Sequence, residues 1–233
     1  MKLFNYVTSV TLTLFLLTSC VLSATPKQVL CTNNLASPIA NFCEVKPREL
    51  WRGATLDNEQ EAAWLVRSGV KTIINLELLH DDLDALREAE LPKVGLYQVD
   101  YFRVKTWEPL YAFAQSAADE DVIHFLAIAK QAKQPIYVHC RAGENRTGVM
   151  IAAYKIILEN QTSPAQIASV LSEMQSYEGF WSESTTEYVK RLSGRRDEIL
   201  QKTQAFIVEH PTEIIYDNGK VTSNTVRFSA TQR

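Results

Sequence analysis

The chain has almost no excess of charge: 24 Lys and Arg stand against 27 Asp and Glu, a net charge of −3 over 233 residues. That balance excludes the broad positive field by which a protein holds nucleic acid or an anionic membrane surface. Any affinity for an anion must be local. Histidine is scarce, with His80, His124, His139 and His210 scattered along the chain, and their spacing matches no metal-ligand cluster. No internal repeat is visible. Long apolar runs are lacking too, and the N-terminal run Val7 to Leu17 is too short and too interspersed with Thr and Ser for a membrane span. What is present is an ordinary globular composition, 46% hydrophobic and 22% charged. It suffices for one domain with a sizeable core plus extensions.

The most informative stretch is His139 to Gly148, HCRAGENRTG. Before it, Pro135-Ile136-Tyr137-Val138 is an apolar, β-branched run that predicts a buried strand. After it, Val149 to Leu158 has helical spacing and no breaker. A tight loop between strand and helix turns its N–H groups inward and ends at the positive end of a helix dipole, forming a cup for a dianionic phosphate. Gly143 and Gly148 permit the close backbone approach. Cys140 sits on the rim, where the N–H groups, the helix N-terminus and Arg146 favour its thiolate. The planar fork of Arg146 can bind two phosphate oxygens, and the Thr147 hydroxyl can stabilise the thiolate as it leaves. Substrate would be held by His139, Arg141, Ala142, Gly143, Glu144, Asn145 and Arg146.

His139-Cys140, five residues, then Arg146-Thr147-Gly148 resembles the signature of the cysteine-based protein tyrosine phosphatase superfamily, in its compact dual-specificity-like branch. The resemblance implies a metal-independent phosphatase without a cofactor. It would hydrolyse phosphotyrosine, and phosphoserine or phosphothreonine as further substrates, through a phosphocysteine intermediate. The alternative substrate is an inositol phosphate or phosphoinositide, and a phosphate-binding pseudophosphatase is a third reading. The expected partner is a phosphorylated protein or small phosphorylated molecule. Relatives that take highly anionic substrates carry Lys in the loop, whereas here Arg141 is offset by Glu144. In the family the general acid is an Asp on the loop after the strand preceding the catalytic one. Asp100 has that position; Glu108, Asp119, Glu120 and Asp121 are the alternatives. For Asp119 the competing explanation is an acidic first helical turn that compensates the dipole. The order Trp51-Arg52-Gly53, helix, Gly69, Val70 to Leu76 is similar to the opening of bacterial and fungal relatives, except that Glu77 replaces the Arg that commonly follows Asn-Leu.

The N-terminus reads as an export signal. Leu17-Thr18-Ser19-Cys20 resembles the lipobox of bacterial lipoproteins, which implies cleavage before Cys20, lipidation of its thiol and a membrane-anchored product. Ordinary cleavage near Ala24, giving a periplasmic or secreted protein, is the alternative. With Cys20 and Cys140 so assigned, Cys31 and Cys43 remain as a candidate disulfide in an oxidising compartment, contributing roughly 3 kcal/mol. The expected organisation is a signal peptide over 1–19, a linker or pinned-down arm over 20–46, a catalytic domain over 47–204 and a C-terminal extension over 205–233. Within the domain the patterning predicts a strand at Leu50–Ala54, a helix capped by Asp57 and a strand at Val70–Leu76. A short, solvated, charged helix at Asp81–Glu90 and a strand at Val94–Val99 follow. Tyr101 to Ala118 reads as a long aromatic loop walling the site. Helices follow at Asp119–Lys133, after Ser163-Pro164 and at Thr185–Lys202, and Asn218-Gly219 signals a hairpin. Strands alternating with helices predict an α/β fold, a mostly parallel central sheet flanked by helices.

Overall fold

The computed structural model describes Cys31, residues 36–89, 99–177 and 179–209, and the backbone of Val226–Arg227. Its strands are β1 (Cys43–Lys46), β2 (Leu50–Gly53), β3 (Thr72–Asn75), β4 (Asp100–Arg103), β5 (Ile136–His139) and β6 (Val226–Arg227). They form one sheet in the order β1-β2-β5-β3-β4-β6. The inner strands β2, β5, β3 and β4 are parallel, and β1 and β6 pair antiparallel at the two edges. This is the mostly parallel sheet that the alternation of elements predicts. β2, β3 and β5 are buried along their whole length, as strands covered on both faces must be.

The pleat sends alternate side chains to opposite faces. Trp51, Ile73, Tyr101 and Tyr137 pack on one side beneath α1 (Glu59–Arg67) and α2 (Leu83–Glu88). Leu50, Ile74, Phe102 and Val138 pack on the other, where α4 (Gln115–Gln131) and α5 (Asn145–Ala153) lie together with α6 (Pro164–Ser176), α7 (Ser182–Ser193) and α8 (Arg196–Glu209). The short α3 (Pro109–Phe113) precedes α4, and a π-helical turn, Tyr154–Leu158, continues α5. Because the parallel strands are in register, Gly53, His139, Asn75 and Arg103 end together at one edge of the sheet. Open parallel sheets bind ligands outside that carboxyl edge.

Several expectations change. The cap of α1 is Asn58, whose side chain accepts from the N–H groups of Gln60 and Glu61 at 3.0 Å each, while Asp57 faces Arg141 instead. Asp100 opens β4 rather than following a strand; of the strand expected at Val94–Val99, all but Val99 lies outside the described residues. The Tyr101–Ala118 loop is largely regular structure, namely the rest of β4, α3 and the start of α4, because Tyr101, Phe102 and Tyr111 are core side chains, while Trp107 and Phe113 are exposed. The last charged helix is two, broken at Gly194, and α8 runs through the expected 204/205 boundary to Glu209. The described part of the segment before residue 47 is pinned to the domain. Ile39 is buried, β1 pairs with β2, and Cys43 is bonded to Cys31, so the fold begins before residue 47. Ser163 and Gln166 do form a reciprocal capping box, with Pro164 in the first turn. The expected signal segment, Cys20 and the hairpin expected at Asn218-Gly219 lie outside the described residues.

Candidate active site

The loop between β5 and α5 is tied down by its carbonyls. Arg141 O accepts from Thr55 N–H at 3.3 Å, Ala142 O from Asn41 Nδ2 at 2.8 Å, Gly143 O from Arg52 Nη2 at 2.6 Å and Glu144 O from Gly148 N–H at 2.7 Å. In a trans peptide plane the next N–H points opposite to the carbonyl. Outward carbonyls therefore turn the N–H groups of Ala142, Gly143, Glu144 and Asn145 to the inside. Gly143 makes this possible: at φ +71 a Cβ would lie 2.5 Å from the Gly53 carbonyl and 2.8 Å from Ala54 N. Gly148 has a different part, since a Cβ there would only reach ordinary contact with Met174.

Cys140 is buried at the start of the loop as a free thiol. Thr147 is buried in the first turn of α5, and its Oγ1 has no hydrogen-bond partner among the described residues, which suits a hydroxyl awaiting the thiolate. Arg146 is held at two points, Nη1 donating to Leu76 O at 3.2 Å and Nε lying 2.6 Å from Glu108 Oε1. Arg141 is an exposed rim charge 3.3 Å from Asp57 Oδ1. Glu144 is half-buried, and burial raises its carboxyl above the ordinary value against the opposing pull of Arg52. Asn145 is half-buried at the first position of α5.

His139 points to the opposite face of the sheet. It is fully buried with Nε2 2.9 Å from Asp82 Oδ2. That oxygen also accepts from Asn75 Nδ2 and Tyr101 OH, each at 2.8 Å, while Oδ1 accepts from Leu56 N–H and the Thr55 hydroxyl at 3.1 Å. Burial works against ionisation of Asp82, but His139 and the hydrogen bonds from Leu56 N–H and the Tyr101 hydroxyl outweigh it and hold the carboxyl well below its usual range. His139, expected among the residues that hold substrate, thus lies on the face away from Cys140 and anchors the end of β5 instead. The helix that Asp82 introduces is therefore no mere solvated face. Replacing Asp82 with Asn strips a buried ionic hub of its charge, a loss of about 3 kcal/mol. With a folded value below the unfolded one, Asp82 contributes fully above the ordinary carboxylate range and loses its contribution as the pH falls below about 4. Urea melts of both proteins at neutral and acid pH check this: the variant is expected to be less stable at neutral pH and to show a shallower acid decline.

The family model of the DSP-PTPase phosphatase domain fused to NAD+ kinase matches residues 36–190, more than half of the chain. The chain belongs to this family. The match places it among the dual-specificity-like members of the cysteine-based protein tyrosine phosphatases. It is 31% identical over 140 residues to the dual specificity protein phosphatase TpbA of Pseudomonas aeruginosa, an alignment covering 59% of this chain and 55% of that protein. The chain thus spans little more than half the length of the curated TpbA relatives it matches. The crystal structure of P. aeruginosa TpbA superimposes with a TM-score of 0.51 at 24% identity, covering 69% of this chain and 91% of that one. The catalytic core of the inositol pyrophosphate (PP-IP) phosphatase Siw14 from Saccharomyces cerevisiae gives 0.51 at 18% identity, covering 75% and 94%. At these identities the structural likeness concerns the fold.

A phosphatase of this family needs an acid at the mouth of the cup, and the structure sorts the candidates. Asp100 is misplaced: it aligns with Thr72 and Ile136 at the amino end of the sheet, with Oδ2 3.4 Å from Lys133. Cys140 follows Ile136 by four residues, about 13 Å along a strand. Asp119 is taken by the Tyr188 hydroxyl at 2.9 Å and by Arg195 at 2.7 Å, well inside α4 and not in its first turn. Glu120 lies beside Ile123 and His124 on the side of α4 that meets α8. Asp121 is buried within reach of Thr106, its carboxyl pushed up to about 7 by burial against the Thr106 hydrogen bond. Glu108 alone of the five contacts Arg146. The sequence offers Glu108 only as one of the alternatives to Asp100. Two further residues tied to the loop have no role assignable from the sequence: Arg52 stands there only within the Trp51-Arg52-Gly53 order, and Asp82 only at the start of a charged helix. Glu77, in place of the family Arg, is buried, and Arg103 Nη2 donates to its carbonyl at 3.1 Å.

Proposed function

We propose that this chain is a phosphatase that cleaves phosphotyrosine-type aryl phosphates through a phosphocysteine at Cys140. The observation that carries the reading is the outward tethering of the loop carbonyls, which leaves a ring of N–H groups between a buried thiol and an anchored guanidinium. The Cys140 thiolate attacks phosphorus, a sulfur–phosphorus bond forms and the ester oxygen departs with its bonding electrons. Arg146 and the inward N–H groups carry the charge that develops on the remaining oxygens. Arriving phosphate takes over the fork of Arg146 and releases the Glu108 carboxylate, which takes up a proton from solvent, gives it to the leaving oxygen and then removes one from the water that hydrolyses the phosphocysteine. Thiolate and inorganic phosphate are regenerated without a metal.

Two features favour an aryl phosphate over a polyphosphorylated inositol. Trp107, beside Glu108, and Phe180 are exposed by 54% and 92%. Phe180 adjoins Gly179, which packs so tightly on Glu144 and Asn145 that a side chain there would overlap them. Exposed rings next to an anion cup suit an aromatic substrate. The rim also carries negative charge. Asp57, Glu108 and Glu144 surround the loop, and Asp57 opens a hollow of about 440 Å³ walled by Glu59, Asp81, Asp84 and Glu88. A ligand with many phosphates meets repulsion there.

The test is a panel of phosphotyrosyl peptide, 4-nitrophenyl phosphate and inositol polyphosphates with chelator present. Hydrolysis of the first two at kcat/KM at least about tenfold above the inositols is expected; the reverse order would sink the aryl reading. Glu108→Gln should lower kcat on the peptide by about 10²-fold, since the phenol leaves with a pKa near 10. On the nitrophenyl ester, whose leaving group needs no proton, the loss should be several-fold at most. Equal losses would take the acid role from Glu108. Export is proposed alongside, supported by the Cys31–Cys43 bond, which persists in oxidising compartments. Absence of fatty-acid label on Cys20 in growing cells would exclude the anchored form.

A further inference from the structure

We propose that Arg52 is a positioning residue of the catalytic loop, a buried guanidinium that holds the carbonyls of Gly143 and Glu144 outward so that the following N–H groups face the bound oxyanion. β2 pairs with β5 so that Arg52 lies opposite Val138, and its side chain therefore leaves the sheet on the same face as Val138 and, two residues later, Cys140. It runs behind the loop. Nη2 donates to Gly143 O at 2.6 Å and lies 3.5 Å from Glu144 O. The Tyr177 ring stacks under the guanidinium, 3.6 Å from Cζ to the centroid.

Arg52 is fully buried, and its Nε and Nη1 have no hydrogen-bond partner among the described residues. Among the described residues no carboxylate forms a salt bridge with it. A cation stripped of water without a carboxylate partner is a large cost to the fold, and an apolar side chain would fill the space more cheaply. What an apolar side chain cannot do is bind two successive carbonyls. Burial disfavours the charged form of Arg52, while Tyr177, Glu173, Cys140 and Tyr137 favour it. The loop is thus clamped from both faces of the sheet, by Arg52 on one and by His139 with Asp82 on the other.

The inference rests on the phosphatase reading only in its kinetic arm. Tungstate, a phosphate mimic, is titrated calorimetrically into the wild-type chain, Arg52→Met, Arg52→Lys and Tyr177→Leu, and kcat and KM for 4-nitrophenyl phosphate are measured on the same proteins. Arg52→Met should bind tungstate at least about tenfold more weakly and lose kcat by a similar factor. Arg52→Lys, which keeps the charge and one donor but not the fork, should recover part of the loss. Tyr177→Leu should weaken binding a few-fold. A folded Arg52→Met with lowered melting temperature but wild-type tungstate affinity would overturn the proposal, leaving Arg52 a packing residue. Should Arg52→Met fail to fold, wild-type affinity in both Arg52→Lys and Tyr177→Leu would overturn it equally. Wild-type chain that binds tungstate yet hydrolyses nothing would refute the phosphatase reading while the binding series still decides the role of Arg52.

Discussion

Cys140→Ser is expected to lower turnover of 4-nitrophenyl phosphate by on the order of 10⁴-fold or more, while tungstate binding stays measurable. A serine hydroxyl fills nearly the same space, so the loop keeps its shape. It does not ionise in that setting and is a poor leaving group in the second step. The charge-stabilising parts are untouched: the carbonyls of Arg141 to Glu144 remain tethered to Thr55, Asn41, Arg52 and Gly148. Binding and chemistry should therefore separate cleanly. A variant that still turns over at a tenth of the wild-type rate would place the nucleophile elsewhere, and one that lost tungstate binding together with turnover would mean the thiol shapes the cup.

The second large effect is expected from Arg146→Lys, a change that keeps the charge. Arg146 makes a bond to Leu76 O and an ion pair with Glu108, and in the proposed reaction its fork passes from Glu108 to two oxygens of the incoming phosphate. An ammonium presents a point charge at a different depth and cannot make those planar pairs. Losing such a donor from a charge-stabilising array lowers kcat by about 10² to 10³. Affinity for tungstate should fall as well, because the fork is used in the ground state. Steady-state kinetics on the two proteins decide it; a loss under about tenfold would show that charge alone suffices and that the fork geometry is immaterial.

Glu108 is one of five carboxylates on the segment before β5, and the sequence favours Asp100 because it predicts a strand that ends there. β4 instead begins at Asp100. A shift of a few residues along a parallel strand carries a side chain from the ligand edge of the sheet to the opposite edge. Tyr101 and Phe102 drive that shift, since both are core side chains on opposite faces, and an aromatic run without clean alternation reads equally well as a loop. Arg52 and Asp82 were invisible for another reason. Each looks like an ordinary residue at a strand end or helix start, and each becomes part of the site only through partners 91 and 57 positions away, Gly143 and His139.

From the linear order alone came the strand–loop–helix at His139 to Gly148 with its thiol and guanidinium, the α/β alternation and the Ser163 cap. These are local properties, fixed by side-chain periodicity and by backbone chemistry within about ten residues. Tertiary structure alone decided which carboxylate reaches Arg146, what turns the loop carbonyls outward, and how far the fold extends before residue 47. Such choices depend on strand register and on buried polar groups finding distant partners, and neither leaves a periodic trace along the chain.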